Sequence, residues 1–557
     1  MKEFYPYLLE KADYIKNLVT IEERKFLDKL TDGEKILNDL YNKNHQITGE
    51  DAFLLYDTYG YPFEITLEFA EEHNITIDKD AFDAAMLRQK ELARGSRGNQ
   101  NSMKAQNQEF MDFDKQCEFV GYDTLKVYNS KVIGKFINDE KVCIVCETTP
   151  FYGEMGGQVG DTGKVYNDDF NAEVINTIKM PNGQHLMILD NLNGNVEVDD
   201  EVNLYVDNSL RDLIEANHTA THLLDQALKD VLGSHVSQQG SQVTSTNTRF
   251  DFNHFENVKV EQLLQIENII KEKINGALNV RIYELPIEEA KKEGCTAVFG
   301  EKYGEIVRIV NISEYSKEFC GGCHVNNTSK IKDFAIASIE SKGSGIFRVV
   351  GVTGDNIINK LKELNKNSFE DYESLLNRFN ELLKLANEYK LEVNIKEGYT
   401  FNEEKSYNLL VSLRKASEVL KENIKILDKA IKNKENENAI ASFDYDNVTI
   451  ENVNGVESIF IRLNLEDASQ VKQIADNLQN KYPSCLIFVM SVCDNKVLFV
   501  AKANQELNKK GIMCGKLVKE AAILCGGNGG GRPDFAQAGG KDPLKADEVF
   551  ALIKGML

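Results

Sequence analysis

Apolar residues in the first hundred positions recur at intervals of three and four, the spacing of one face of an α-helix. Such positions are Phe26, Leu27, Leu30, Ile36, Leu37 and Leu40. Thr20 and Glu23 have the spacing of a capping box, which marks the start of a helix. The polar stretch ARGSRGNQNSMKAQNQ, from Ala93, has no period and predicts a loop. We therefore predict an α-helical domain over residues 1–110.

The pattern changes near residue 111 to short runs rich in β-branched residues. KVIGKFI, KVCIVCET and EVNLYV are separated by Gly, Asn and Asp, which predicts a small β-barrel or sandwich over residues 111–207. Ser209 to Leu232 then has a helical pattern, and strand-like and helical segments follow it. Residues 208–355 are therefore predicted to form an α+β domain.

The remaining chain divides into a helical part and an α/β part. Apolar residues at helical spacing among charged neighbours predict a helical or coiled-coil linker over residues 356–440. The segments ESIFIRLNL, CLIFVMSV and KVLFVAKA, followed by the glycine-rich run GGNGGGRPDFAQAGG, predict an α/β domain over residues 441–557. The 557-residue chain is thus expected to be a multidomain α+β protein.

Composition and charge limit the function classes. A hydrophobic fraction of 42% with no long apolar run predicts a soluble chain that does not span a membrane. The N-terminal segment lacks the layout of a signal or transit peptide, so a cytoplasmic location is expected. The net charge of −23 argues against nonspecific nucleic-acid binding by the whole surface, but a local basic surface for RNA stays compatible with it.

Two short motifs contain the residues best suited to bind a metal. NHTATHLL places His218 and His222 on one helical face, one turn apart. About a hundred residues later, KEFCGGCHV supplies Cys320 and His324, with two glycines that permit a tight turn. Three imidazoles and one thiolate form a tetrahedral set suited to Zn²⁺. The CxxC spacing also allows Cys323 to replace His324.

The role of this metal is left open by the ligands alone. A structural zinc site is closed by four protein ligands, whereas a hydrolytic one keeps a position for water or substrate. Neighbouring polar residues favour a functional site: Thr221 is next to the histidine face, Asp225 is one turn beyond His222, and HVSQQGSQV presents Gln238 and Ser241.

These motifs carry a resemblance to a known family. NHTATHLL, VLGSHVSQQGSQV, TRFDFNHF, FGEKYGEIVRIV and KEFCGGCHV, in this order, closely resemble the editing domain of alanyl-tRNA synthetases. TPFYGEMGGQVGDTG resembles the barrel that precedes the editing site, and GEDAFLLYDTYGYPFEIT the helical tRNA-recognition domain. GGNGGGRPDFAQAGG resembles the C-terminal globular domain, so the resemblance covers nearly the whole chain.

The resemblance implies a role for particular residues. It implies zinc ligands at His218, His222, Cys320 and His324. It implies that Gln238 and Thr221 shape the catalytic pocket and that Asp57 reads the acceptor stem of tRNA. An exposed glycine loop with Arg532 and Lys541 is expected to follow an RNA backbone, with a tight structural turn as the alternative.

The chain also departs from the family pattern. Cys323 stands where the family usually has Thr, and Asp225 where it often has His. No region resembles the class II activation domain that binds ATP, Mg²⁺ and alanine, so ligation by this chain alone is not expected. We expect a fragment, a truncated gene product, or one subunit of a split ligase whose activation domain is a separate chain.

The function implied by the resemblance is binding of tRNA(Ala) and hydrolysis of mischarged Ser-tRNA(Ala) or Gly-tRNA(Ala) at a zinc-dependent site. A homo-oligomer formed through the C-terminal region is a further expectation. The alternative is a non-catalytic tRNA-binding and assembly module in which zinc is structural.

Overall fold

The structure is a computed structural model, which forms two compact units. One unit contains Met1–Phe369 with Phe401–Arg414, and the other contains Glu370–Thr400 with Lys415–Leu557. The residues described are 9, 12–96, 108–138, 140–297, 304–343, 345–493 and 496–557. Among them, no helix is long and apolar enough to cross a membrane. The boundaries of the five predicted domains stay predictions.

Five helices form the N-terminal part of the first unit. They are α1 (Ala12–Asn44), α2 (Gly49–Asp57), α3 (Phe63–Glu72), α4 (Lys79–Ser96) and α5 (Gln108–Asp112). The predicted helix start at Thr20 is wrong: α1 passes through Thr20 because the preceding ADYIKNLV contains no helix breaker. The loop predicted from Ala93 begins later, since α4 continues to Ser96, and residues 97–107 lie outside the described part.

A closed six-stranded β-barrel follows these helices, as the sequence predicts. Its region contains β1 (Glu118–Phe119), β2 (Lys126–Asn138), β3 (Lys141–Cys146), β4 (Thr148–Thr149), β5 (Gly163–Tyr166), β6 (Asn171–Lys179), β7 (His185–Asn193) and β8 (Glu201–Val206). The barrel closes in the order β2-β3-β7-β6-β5-β8, with every neighbouring pair antiparallel. Val132, Ile144, Leu189 and Leu204 fill its interior.

An α+β region completes most of the first unit. It contains α6 (Asn208–Leu232), β9 (Gln238–Val243), β10 (Thr248–Asn253), α7 (Val260–Asn275), β11 (Val280–Pro286), α8 (Ile287–Lys292), β12 (Ile306–Ile312), β13 (Ser316–Phe319), β14 (Phe334–Gly343), β15 (Ile346–Thr353) and α9 (Ile357–Leu364). One sheet has the order β14-β15-β10-β9 and the other β11-β12-β13. The first part of the motif FGEKYGEIVRIV, residues 299–303, lies outside the described residues.

Helix α6 is amphipathic, and its apolar face packs into the core of this region. Leu223, Leu224 and Leu228 on α6 belong to the same buried cluster as Phe250 of β10 and Ile266 of α7. An Asp207 N-cap accepts hydrogen bonds from the first backbone N–H groups of α6 and fixes where the helix begins. Two polar residues of the same helix, Arg211 and His218, contact Asp161 and Gln158 of the barrel region.

The second unit contains an α/β sheet, in agreement with the sequence. Helices α10 (Lys366–Glu388) and α11 (Asn408–Ser442) precede it and begin in the first unit. The sheet region contains β16 (Glu451–Val453), β17 (Val456–Leu463), α12 (Ala468–Lys481), β18 (Leu486–Cys493), β19 (Lys496–Lys502), α13 (Gln505–Lys509), α14 (Cys514–Leu524), β20 (Asn528–Gly531), β21 (Phe535–Gly540) and α15 (Ala546–Met556). The order is β16-β17-β18-β19-β21-β20, with only β17 and β18 parallel.

The glycine-rich run is exposed at Gly530, Gly531 and Arg532 as expected, but it is a β-hairpin with a tight turn, the structural alternative, rather than an irregular loop. Strands β20 and β21 pair antiparallel, and the backbone N–H of Arg532 donates to the Phe535 carbonyl (2.9 Å) in the connecting turn. Helix α14 approaches β20 so closely that a Cβ at Gly515 would lie 2.5 Å from the Gly531 carbonyl oxygen. The glycines serve close packing of helix on strand rather than flexibility.

A buried ion pair joins the barrel to the first turn of α6. Arg211 and Asp161 are each 1% exposed, and Arg211 Nε donates to Asp161 Oδ1 (2.9 Å). The guanidinium also donates to the carbonyl oxygens of Gly121 (2.7 Å) and Pro150 (3.2 Å). Because the charges are paired and the guanidinium is engaged on several sides, the burial of Arg211 is compensated.

Replacing Arg211 with Leu leaves Asp161 unpaired in the interior, so we expect a loss of about 3 to 5 kcal/mol of unfolding free energy. The double variant Arg211→Leu/Asp161→Leu should lose less than Arg211→Leu alone, because no unpaired charge is then buried. Calorimetry of the full chain measures both effects.

Lys131→Ala is the matched control, since it breaks an exposed ion pair with Asp199 (2.8 Å) on the same barrel. It should leave the unfolding temperature nearly unchanged. A double variant as unstable as Arg211→Leu would contradict a dominant role for the ion pair.

Candidate metal centre

Two elements of the first unit bring together the four ligand candidates from the sequence. His218 and His222 are one turn apart on α6, and Cys320 and His324 lie in the segment after β13. Their ligand atoms all lie within 4.8 Å of one another. Cys320 Sγ is 3.4 Å from His218 Nε2 and 3.3 Å from His324 Nε2. This donor set of three imidazoles and one thiolate fits Zn²⁺.

The turn between Cys320 and His324 needs glycine. A Cβ at Gly322 would lie 2.0 Å from His218 Cε1, so any side chain there would displace a candidate ligand. Arg308 holds the turn by donating to the carbonyl oxygens of Cys320 (2.7 Å) and Gly322 (2.8 Å). The CGGCH sequence can therefore present its cysteine and histidine to α6 at close range.

Each imidazole has its Nδ1 beside another polar side chain, which leaves Nε2 directed toward the shared centre. The pairs are His218 with Gln158 Oε1 (2.7 Å), His324 with Thr219 Oγ1 (3.1 Å) and His222 with Glu318 Oε2 (2.7 Å). Partners of this kind fix the ring orientation and the tautomer of metal-binding histidines. The arrangement is the one expected of a preformed metal site.

The electrostatics of the cluster favour a deprotonated thiol at Cys320 and a neutral imidazole at His324. Burial opposes ionisation of the Cys320 thiol, but the interactions with the surrounding imidazoles, that of His218 first, outweigh it and lower the pKa of the thiol well below its usual value. Burial lowers the pKa of His324 to about 3, so its imidazole is neutral at pH 7. Glu318 raises the pKa of His222 against the effect of burial, which makes the two a buried ion pair.

Cys323, the alternative to His324 as the fourth metal ligand, does not belong to the cluster. Its backbone N–H donates to Gln158 Oε1 (2.8 Å), and burial raises the pKa of its thiol to about 12. A protonated thiol is a poor metal ligand. The geometry thus selects His324, whose side chain belongs to the cluster, over Cys323.

A cleft of about 990 Å³ opens onto the cluster. Thr221 and Gln238, the two predicted pocket residues, both line it. Thr221 Oγ1 donates to the Asn217 carbonyl (2.8 Å) and lies 2.5 Å from Thr248 Oγ1. Because a hydroxyl carries one hydrogen, Thr221 offers the cleft an acceptor. Gln238, on β9, donates from Nε2 to Ser241 Oγ (3.1 Å).

Sequence reasoning missed three of the residues that orient the histidines. Thr219 and Glu318 are close in sequence to His218 and Cys320, so proximity to a ligand could have indicated them. Gln158 could not be found in this way, because it comes from the segment between β4 and β5 of the barrel region, 60 residues before His218. Only folding brings it to the site.

Asp225 lies one turn beyond His222 in the sequence, but its partner in the structure is Lys229. It is buried and forms an ion pair with Lys229 (2.5 Å), one turn further along α6. Burial raises the pKa of Asp225 to about 6. The carboxylate beside His222 is instead Glu318, which approaches from β13.

The candidate tRNA contacts are surface residues. Asp57 is exposed at the end of α2 in the first unit. In the second unit, Arg532 is exposed in the turn of the β20–β21 hairpin and Lys541 directly follows β21. Their roles in RNA binding stay predictions.

Three family models match parts of the chain. Residues 1–210 match the model described as tRNA synthetases class II (A). Residues 307–350 match the Threonyl and Alanyl tRNA synthetase second additional domain, and this range includes Cys320 and His324. Residues 456–557 match the DHHA1 domain. The matches therefore cover the barrel, the Cys320–His324 half of the metal cluster and most of the terminal sheet, whereas His218 and His222 lie outside them.

Curated relatives align with the whole chain. The alanine–tRNA ligase of Bacillus anthracis is 40% identical over 569 residues, covering 100% of this chain and 61% of that protein. The enzyme of Bacillus subtilis (strain 168) is 38% identical over 574 residues, with the same two shares. The C-Ala domain of Aquifex aeolicus alanyl-tRNA synthetase matches 20% of this chain and 97% of that one, at 28% identity and a TM-score of 0.19.

The chain spans about three fifths of the length of these curated relatives, at 61%. Identity of 38 to 40% runs along its full length, and the second-additional-domain match coincides with half of the metal cluster. The chain belongs to the alanyl-tRNA synthetase family.

Proposed function

We propose that this chain hydrolyses the ester bond between tRNA and a wrongly attached amino acid, at a zinc site in the 990 Å³ cleft. The observation that carries the proposal is an open cleft that ends on four candidate ligands whose imidazoles are already oriented. A zinc ion with only a structural role has no need of a cleft that admits a substrate. The family match over residues 307–350 supports the same reading.

The proposed substrates are Ser-tRNA(Ala) and Gly-tRNA(Ala). An activation pocket built for alanine cannot strongly exclude glycine, which is smaller by one methyl, and a second site can remove what is wrongly attached. The hydroxyl of Thr221 donates its hydrogen to Asn217 and contacts Thr248 Oγ1, which takes one of its two lone pairs, so one lone pair remains for a seryl hydroxyl. Glycine has no such group, so Thr221 favours the seryl ester.

Different residues of the cleft are proposed to bind the metal, the substrate and a phosphate of the tRNA. When bound, Zn²⁺ supplies a positive charge that can polarise a carbonyl oxygen or lower the pKa of a water. His218, His222, Cys320 and His324 would hold it. Gln238 and Ser241 add further polar groups to the lining of the cleft. Lys179, exposed at the edge of the cleft, is suited to a phosphate of the tRNA 3′ end.

Contacts with the rest of tRNA(Ala) are proposed for surface residues distant in sequence from the cleft. Asp57 is proposed to read the acceptor stem, and Arg532 with Lys541 to contact the RNA backbone. Binding of ATP, Mg²⁺ and alanine is proposed for the activation domain of the longer enzyme.

The deacylation assay tests the proposal directly. The zinc-loaded chain should hydrolyse Ser-tRNA(Ala). His218→Ala or Cys320→Ala should slow this hydrolysis by more than about 100-fold, because removing a metal ligand has a larger effect than removing a residue that is hydrogen-bonded to a ligand. Stripping the metal should do the same, and adding Zn²⁺ should restore the rate.

Cys493→Ala is the control, because Cys493 is a buried cysteine of the second unit outside the metal cluster. It should hydrolyse Ser-tRNA(Ala) at the unaltered rate. Equal rates for Cys320→Ala and the unaltered chain would refute a catalytic metal, as would tRNA binding without any hydrolysis.

Gln158 is expected to strengthen metal binding through His218. Gln158→Ala removes the acceptor beside His218 Nδ1, so the affinity for Zn²⁺ should fall about 10- to 100-fold. Competition with a chromophoric chelator measures it. Gln184→Ala is the matched control: Gln184 is also buried in the barrel, but it donates to the carbonyls of Phe113 and Lys115. Equal affinities in the two variants would contradict the role of Gln158.

A further inference from the structure

The outer surface of the barrel carries an aromatic and basic cluster that the proposed hydrolysis does not use. We call it the tyrosine–lysine face, and it consists of Tyr128, Tyr166, Tyr205, Lys126 and Lys164. We propose that this face binds an unpaired stretch of RNA by stacking bases on the tyrosine rings. The inference goes beyond the proposed function and does not depend on the metal centre.

The face is built by three neighbouring strands of the barrel. Tyr205 of β8 is in register with Lys126 of β2 on one side and with Lys164 of β5 on the other. Residues in register on adjacent strands point to the same side of a sheet, so the three side chains form one row. The two lysines are therefore separated by two strand spacings, roughly 10 Å.

Two more rings extend this row into a cluster. Tyr166 is stacked on Tyr205 with ring centroids 5.5 Å apart, and Tyr128 meets Tyr205 edge to face at 5.7 Å. Tyr128 is 62% exposed and Tyr166 37% exposed. The barrel core does not need these rings, since Val165 and Leu204 on the same strands face inward. Exposed aromatic clusters of this kind mark interaction sites.

Lysines lie on both sides of the central ring, and the carboxylates of Glu173 and Asp207 lie near Lys164. Lys126 and Lys164 are both exposed, and Lys126 Nζ lies 5.2 Å from the centroid of the Tyr205 ring. Glu173, in register with Lys164, is the carboxylate on the next strand, and it accepts a hydrogen bond from Asn191 Nδ2 (2.8 Å). A nucleotide chain lying across the three strands would thus meet a cation on each side of the central ring.

Unpaired RNA fits this combination better than a protein partner. Interface cores between proteins are depleted in lysine, whereas here two lysines flank the central ring. Stacking on aromatic rings combined with lysines along the backbone is the usual mode of single-strand binding, and it tolerates any base. A duplex hides the faces of its bases and offers the rings nothing to stack on. The partner is therefore a single strand.

The chain contains no tryptophan, which permits a unique fluorescent reporter. Tyr128→Trp places one tryptophan on the face, and a 12-nucleotide oligoadenylate should quench it as a base stacks on the ring. Ile137→Trp is the matched reporter, because Ile137 is 59% exposed toward the far end of the same strand, β2. RNA bound elsewhere on the chain should leave both reporters unchanged, so quenching of Tyr128→Trp alone identifies the face.

Variants in the Tyr128→Trp background separate stacking from charge. Tyr205→Ala should weaken the RNA affinity at least about tenfold, because it removes the ring against which the rings at positions 128 and 166 pack, and Tyr205→Phe should keep the affinity because it keeps that ring. Lys126→Ala/Lys164→Ala should lower the slope of log affinity against log salt by about 1.4, at 0.7 per phosphate contact. Lys421→Ala/Lys425→Ala removes two exposed lysines of α11 and should leave the slope unchanged. The unfolding temperature of each variant verifies folding.

Three results would overturn the inference. One is the absence of saturable quenching up to about 1 mM RNA, above the range of nonspecific binding. Another is equal quenching by a 12-base-pair RNA duplex. The third is a spectral shift of Tyr128→Trp that depends on protein concentration without RNA, which would assign the face to contacts between chains. Deacylation is measured separately, so its failure and the failure of RNA stacking are distinguishable.

Discussion

The contact between the barrel and helix α6 is the constraint on which the candidate site depends. The Arg211–Asp161 ion pair closes this contact, and both partners are buried. Asp161 is three residues after Gln158, and Arg211 is seven residues, about two helical turns, before His218. The same loop and the same helix thus carry the ion pair and the hydrogen bond that orients a ligand. Any shift of the barrel along α6 would move Gln158 away from His218.

Burial makes the candidate metal centre a demanding arrangement. Three buried histidines, a thiolate and Glu318 lie together with little water to screen them. Such groups are tolerated only when paired or bound to a cation. Glu318 forms an ion pair with His222. Gln158 and Thr219 form hydrogen bonds with the Nδ1 atoms of His218 and His324, respectively. The polar partners therefore hold the candidate ligands in place without an ion, in the way that such partners orient metal-binding histidines.

Glycine has one physical role at two distant places in this chain. At Gly322 the missing side chain lets the Cys320 turn approach His218, and at Gly515 it lets a helix contact the backbone of β20. A glycine-rich sequence invites the reading of a flexible loop, as it did for GGNGGGRPDFAQAGG. The structure instead uses it where two backbones come together. Close approach is a property of a pair of segments, so a single segment does not reveal it.

The sequence by itself determined the local features of this protein. The i and i+4 spacing of His218 and His222 follows from helical geometry, and the CGGCH turn follows from short-range sterics. Short runs rich in β-branched residues, separated by turn-forming residues, likewise predicted the barrel and the terminal sheet, because such side chains pack well on a pleated sheet. The capping-box spacing at Thr20 gave a wrong helix start, because the residues before Thr20 already belong to the helix.

Only the tertiary structure decided which residues support those features. It selected Glu318 over Asp225 beside His222, and His324 over Cys323 in the cluster. It brought Gln158 to His218 and aligned Lys126, Tyr205 and Lys164 across three strands. These choices depend on register and packing between segments far apart in the chain, and such contacts leave no periodic signal in the sequence.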